Sequence, residues 1–171
     1  MRSMHIKMKA EYINPFVKSA VEIFEQVAKI ELKKTQLHLK DKPTPSNEIS
    51  ILIGVTGFIE GQVVYSMKNA TAERIVASMM PESPPEKQRQ YMESAIASLA
   101  NMITGRASIL LAGQDRVLSI TPPTVVSGKD FNVKFVEMKT LSANFSSRFG
   151  TMEINVALRE TGRNVGVNKL F

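Results

Sequence analysis

The chain has 171 residues, 43% of them hydrophobic, and a formal net charge of +6. That is enough apolar material for one domain with its own core. Cysteine is absent, which excludes thiol chemistry, disulfides and cysteine-based zinc sites and suits a reducing compartment.

The N-terminal "MRSMHIKMKAEY" lacks the apolar h-region and cleavage site of a secretory signal. No apolar run approaches the roughly 20 residues of a membrane span. The expectation is a soluble protein of the cytoplasm with no membrane partner. Much of the basic excess sits near the two ends, in "MRSMHIKMK" and "RETGRNVGVNKLF". A nucleic-acid reader shows a basic stripe interleaved with aromatics, and none is found, so nucleic acid is not expected as a partner.

Asn14 and Pro15 predict a helix start, as N-cap and first helical residue. Phe16, Val17, Ala20, Val21, Phe24, Val27 and Ala28 follow at helical spacing. "LKKTQLHLK" (32–40) reads as a strand and "DKPTPSN" (41–47) as a loop. "EISILIGVTG" and "QVVYSM" form a hairpin, turning through Gly57 and Gly61. "NATAERIVASMM" (69–80) is a short helix whose apolar side is Ala70, Ile75, Val76 and Met79. Ser83, Pro84 and Glu86 spell a capping box that opens a long helix to about Leu111. Beyond it "RVLSI" is a short strand, "TPPTVVSG" a proline-broken connection, and "FNVKFVEMKTLSANFSSRFGTMEINVAL" two or three strands with a turn at Gly150.

This order predicts an α+β domain with a mainly antiparallel sheet packed against long helices. The domain spans 12–158, with an N-terminal extension (1–11) and a basic C-terminal tail (159–171) that is frayed or ordered by a partner.

The long helix carries the most informative pattern. Ser94, Ser98, Asn101 and Gly105 fall within about 60° of one another on a helical wheel. Met92, Ile96, Leu99, Ile103 and Leu110 lie opposite. One face therefore takes the core, and the other is a flat polar strip that a second protein can approach closely. His5 and His38 are the only histidines, neither with carboxylates at metal-ligand spacing, so no metal site is expected. Gly54, Gly57 and Gly61 lack the Gly-Lys-Ser/Thr ending of a phosphate loop, and there is no G-x-S-x-G element.

"SAIASLANMITGRA" followed by "SITPPTVVSG" resembles the CheX branch of the CheC/CheX/FliY family, phosphatases of phosphorylated CheY-type response regulators. "INPFVKSAVEIFEQVAKIEL" and "ISILIGVTGFIEGQVVYSM" are similar to the family's first helix and hairpin. The resemblance covers about residues 12 to 158. It implies that Asn101 is the amide that orients the hydrolytic water on the regulator's aspartyl phosphate. It implies partner contacts at Ser94 and Gly105, magnesium held by the regulator rather than by this chain, and no cofactor of its own. It also implies a homodimer made by joining sheets, for which the late strands are the natural exposed edge.

The sequence departs from the family at one position. The family places a glutamate three residues before the asparagine, where it pairs with the regulator's active-site lysine. Here that position is Ser98. A serine makes no salt bridge, and losing a charge-assisted contact costs on the order of 1.5 to 3 kcal/mol. Glu93 lies off the strip by about 100° and does not replace it. The implied protein is a regulator phosphatase with weakened docking, or a non-catalytic module that binds the regulator.

Overall fold

In a computed structural model, which describes residues 2–40, 44–45, 47–129, 131–134 and 138–163, the chain opens with helix α1 (Arg2–Ile23). A π-helical turn (Phe24–Ala28) follows and closes at Lys29, whose φ is 56°. Pro15 lies inside α1, so the expected helix start at Asn14–Pro15 is corrected. Proline removes one backbone N–H and crowds the preceding turn. The helix passes through because Ile13 and Phe16, on either side, are both fully buried, and tertiary packing outweighs the local penalty.

Strands β1 (Lys33–Lys40), β2 (Thr44–Pro45), β3 (Ile49–Gly57) and β4 (Ile59–Met67) come next. Helices α2 (Asn69–Met79), α3 (Pro85–Gln90) and α4 (Met92–Ala112) follow, then β5 (Leu118–Ile120), β6 (Thr124–Ser127), β7 (Asn132–Val133), β8 (Thr140–Ser147) and β9 (Gly150–Glu160). The main sheet runs β1-β8-β9-β4-β3, with β5 and β6 both on the outer side of β3, and every pairing is antiparallel. This is the expected α+β architecture. Ile51 and Ile53 of β3, Val63 and Tyr65 of β4, Phe145 of β8 and Ile154 of β9 point to one face. There they share a core with Phe16, Ala20 and Phe24 of the first helical segment and with Ile96, Leu99 and Ile103 of α4. In α2, Ile75 and Val76 are buried, whereas Ala70 is exposed.

Several sequence expectations change. The proline-broken "TPPTVVSG" is half strand: Thr124–Ser127 pairs with Ile49–Leu52. Pro122 and Pro123 separate β5 from β6 along the sheet's outer line, where a missing N–H costs the ladder little. Gly61 is no turn residue. It sits within β4 opposite Val55 and Leu158, and a Cβ there would stand 1.9 Å from the Ala157 carbonyl oxygen. Close backbone approach, not a turn, requires this glycine.

The long helix is two helices broken at Tyr91. Pro84 is extended (ψ 156°) and caps α3 without a side-chain bond. The helix therefore begins at Pro85, which leaves Glu86 one position short of the capping-box geometry. Gln88 Nε2 instead donates to the Met80 and Ser83 carbonyls at 3.0 and 3.1 Å.

The late strands are not the edge: β8 lies between β1 and β9, and β9 between β8 and β4. Among the described residues the sheet's edges are β1 and the β5–β6 line, because β1 crosses over to pair with β8, far away in sequence. Residues 41–43 and 46 of the expected loop lie outside the described residues, while Thr44–Pro45 pairs with Asn132–Val133. In the expected tail, Arg159 and Glu160 complete β9, and residues 164–171 lie outside the described residues.

By length and composition α4 does meet the requirement for a membrane span, contrary to the sequence reading, and half of its most apolar stretch is buried inside the fold. A core helix of a sheet-backed domain has the same composition.

Candidate functional site

The polar strip lies on α4, and three neighbouring elements hold that helix. From the sheet, Tyr65 on β4 meets Thr104, the two hydroxyl oxygens 2.8 Å apart. Thr104 donates its own proton to the Ala100 carbonyl at 2.8 Å, so Tyr65 is the donor to Thr104. Burial pushes the Tyr65 hydroxyl well above its ordinary value, which keeps that proton in place. From α1, Glu22 pairs with Arg106 at 3.0 Å. From β6, the Ser127 hydroxyl donates to Glu93 at 2.5 Å. The rotation of α4 about its axis is thereby set, and with it the direction its outer face points.

On that face Ser94, Ser98 and Asn101 are exposed and Gly105 is half-buried. Ile96, Leu99 and Ile103 are buried on the other side, as expected, whereas Met92 is only half-buried and Leu110, in the last turn, is 46% exposed. The serine protons are committed within the helix: Ser94 donates to the Tyr91 carbonyl at 3.0 Å and Ser98 to the Ser94 carbonyl at 2.9 Å. Such back-bonding is a common habit of helical serine. It leaves Ser98 only acceptor capacity toward a partner. The Asn101 amide has no partner among the described residues, so both its donor and its acceptor face solvent. The strip contains no carboxylate, and Glu93, the neighbouring one, is turned to β6.

All four expected residues are thus on one accessible face. Reading from sequence missed Tyr65 and Thr104, which set the helix against the sheet. They lie 39 residues apart, and neither carries a local signal of the contact. Among the described residues no group of three His, Asp or Glu side chains is placed to hold a metal ion.

An antiparallel sheet backing a helix that presents an exposed amide between small polar residues defines the class: an α+β domain with its candidate site on a helix face. Residues 49–146 match the family model of the chemotaxis phosphatase CheX. The CheY-P phosphatase CheX of Thermotoga maritima is 35% identical over 133 residues, covering 74% of this chain and 82% of that protein. The chain therefore belongs to the CheX family of chemotaxis phosphatases. A CheC-like superfamily protein from Shewanella sp. PV-4 is 28% identical with a TM-score of 0.76, over 87% of this chain and 97% of that one. A chain of the CheX–CheY–BeF3–Mg2+ complex from Borrelia burgdorferi shares the fold, with a TM-score of 0.74 at 23% identity over 87% of this chain and 98% of that one.

Proposed function

We propose that this chain docks a phosphorylated CheY-type receiver on the exposed strip of α4 and promotes hydrolysis of its aspartyl phosphate. The observation that carries the reading is the Asn101 amide, exposed and without a partner among the described residues. A Thermotoga relative is a CheY-P phosphatase, and a chain of the same fold is found in a complex with CheY.

An aspartyl phosphate is a mixed anhydride and needs little covalent help. Water attacks phosphorus in line with the aspartate oxygen. The P–O bond to the aspartate breaks, its electron pair returns to the carboxylate, and the water proton passes to solvent. The Asn101 Oδ1 accepts a hydrogen bond from that water while its Nδ2 donates to a phosphoryl oxygen. The amide's contribution is orientation. In this reading magnesium is held by the receiver, and both partners act in the cytoplasm.

Ser98 limits this activity. Its proton is held by the Ser94 carbonyl, so it offers the receiver's lysine one acceptor oxygen and no charge. That observation favours a second reading, a module that binds the receiver without dephosphorylating it. Phosphate release from a phosphorylated receiver separates the two. Wild type is expected to exceed spontaneous decay, and Asn101→Ala to remove the excess, about a hundredfold loss for a misplaced nucleophile. Ser98→Glu is expected to tighten docking roughly tenfold to a hundredfold, the worth of one charge-assisted contact. Wild type that binds the receiver yet adds nothing to its decay leaves the module.

A homodimer belongs to the same proposal. Among the described residues β1 is an eight-residue strand paired on one side, with Leu37 and Leu39 exposed, and its outer side is the ladder that sheet joining needs. Leu39→Asp should shift the sedimentation of the protein toward monomer.

A further inference from the structure

Past Gly105 the outer face of α4 stops being polar. Ile109, on the same face, is 72% exposed, and Val117 beyond the helix is 45% exposed. Between the last turns of α4 and strand β5 runs a groove of about 250 Å³, lined by Gly105, Ile109, Val117, Leu118, Ile120 and, at its rim, Arg116. Gly105 belongs to both the strip and the groove. The groove therefore begins about 6 Å along the helix axis from Asn101, at a rise of about 1.5 Å per residue.

Two features tell what fits it. Its walls are mostly apolar, with the buried Ser108 hydroxyl as the polar exception, and exposed isoleucine beside valine asks for an apolar side chain. Its rim carries one cation, the Arg116 guanidinium, stacked 3.8 Å from the centre of the Phe58 ring. Arg116 has no carboxylate partner among the described residues. Stacking fixes the plane of the guanidinium and leaves its edge available for a carboxylate. The group complementary to that guanidinium is acidic. A second copy docking symmetrically through the same groove would set Arg116 against Arg116.

We infer that this groove is a second docking point for the receiver, taking an apolar side chain that stands beside a carboxylate on the receiver's surface. It holds the partner where Ser98 no longer does. The inference rests on the receiver reading of the strip. Position 105 decides access: a Cβ there would meet only the Ile120 Cδ1, at 4.0 Å. The floor of the groove is thus open because the residue is glycine, and the first carbon of a side chain has room there.

The test is a titration of the full chain against a CheY-type receiver in its beryllofluoride–magnesium form, read by calorimetry. Gly105→Leu, Ile109→Ser and Arg116→Glu are each expected to weaken binding about tenfold or more, as loss of an anchor residue does. The Arg116→Glu effect is expected to shrink as salt rises. Ile109 and Arg116 are exposed, so their variants decide the matter even if Gly105→Leu fails to fold. If wild type does not bind, the receiver reading fails and the groove proposal falls with it. If wild type binds and the groove variants bind equally well, the groove proposal alone is overturned. A change in the self-association of the free protein with Ile109→Ser assigns the groove to a second copy and overturns the choice of partner.

Discussion

Ser98 occupies the position from which the family's glutamate reaches the regulator, and its hydroxyl bonds back to its own helix. The consequence is specific to that residue. Replacing it with glutamate adds a charge on an exposed face, so the fold should be indifferent: stability within about 0.5 kcal/mol of wild type by urea titration, as for surface changes generally. Only binding and turnover should move. Asn101→Ala should be equally silent in stability, since the amide makes no hydrogen bond among the described residues. A large loss of stability in either variant would mean that the strip supports the fold rather than faces a partner. Ser94, Ser98, Asn101 and Gly105 were all legible in the sequence, because helical spacing alone puts them on one face. The direction of the Ser98 proton was not, since a serine hydroxyl rotates to suit its neighbours.

At the scale of elements, two contacts decide how α4 stands. Tyr65→Phe removes one donor and leaves Thr104 bonded to Ala100, a loss of about 1 kcal/mol. Thr104→Val should cost more, roughly 1 to 3 kcal/mol, because it strands the buried Tyr65 hydroxyl without a partner. Thermal or urea unfolding of the two variants checks the order, and the reverse order would put Thr104 in the donor's role. Ser83→Ala is the opposite case. A working capping box would make it cost about 1 kcal/mol. Here α3 begins at Pro85 under an unbonded Pro84, so the expected change is below about 0.5 kcal/mol. Ser83 and Glu86 had the right spacing, and the intervening prolines moved the helix start. Gly61 misled in the same way. Glycine marks turns and close approaches alike, and its conflict with Ala157 arises from a strand nearly a hundred residues later.

For the molecule as a whole, alkaline pH offers a test that involves both ends of the chain. Tyr12 of α1 donates to Glu160 at the end of β9 at 2.9 Å. Burial first, and then this bond, push its hydroxyl up from 10.0 to about 12. Tyr65 is displaced in the same direction by burial. Below pH 10 both hydroxyls are protonated in folded and unfolded chains, and their contribution is whole. As pH rises from 10 toward 12, the unfolded chain gives up protons that the folded chain keeps, so stability falls. Urea midpoints across that range should decline, and Tyr12→Phe should flatten the decline. An unchanged slope in Tyr12→Phe would remove the hydroxyl from the account. Local pattern was sufficient for the α+β class, most of the helix faces, the β3–β4 hairpin and the candidate strip, because periodicities of 3.6 and 2 are written along the chain. Pairing of distant strands was needed for the rest. It made β1 and the β5–β6 line the sheet's edges, buried β8 and β9 between neighbours, and carried α1 through Pro15. It also brought β5 against α4 to form the apolar groove. Each of these joins residues far apart in sequence, and such contacts are chosen by the packing of the whole core rather than by any one segment.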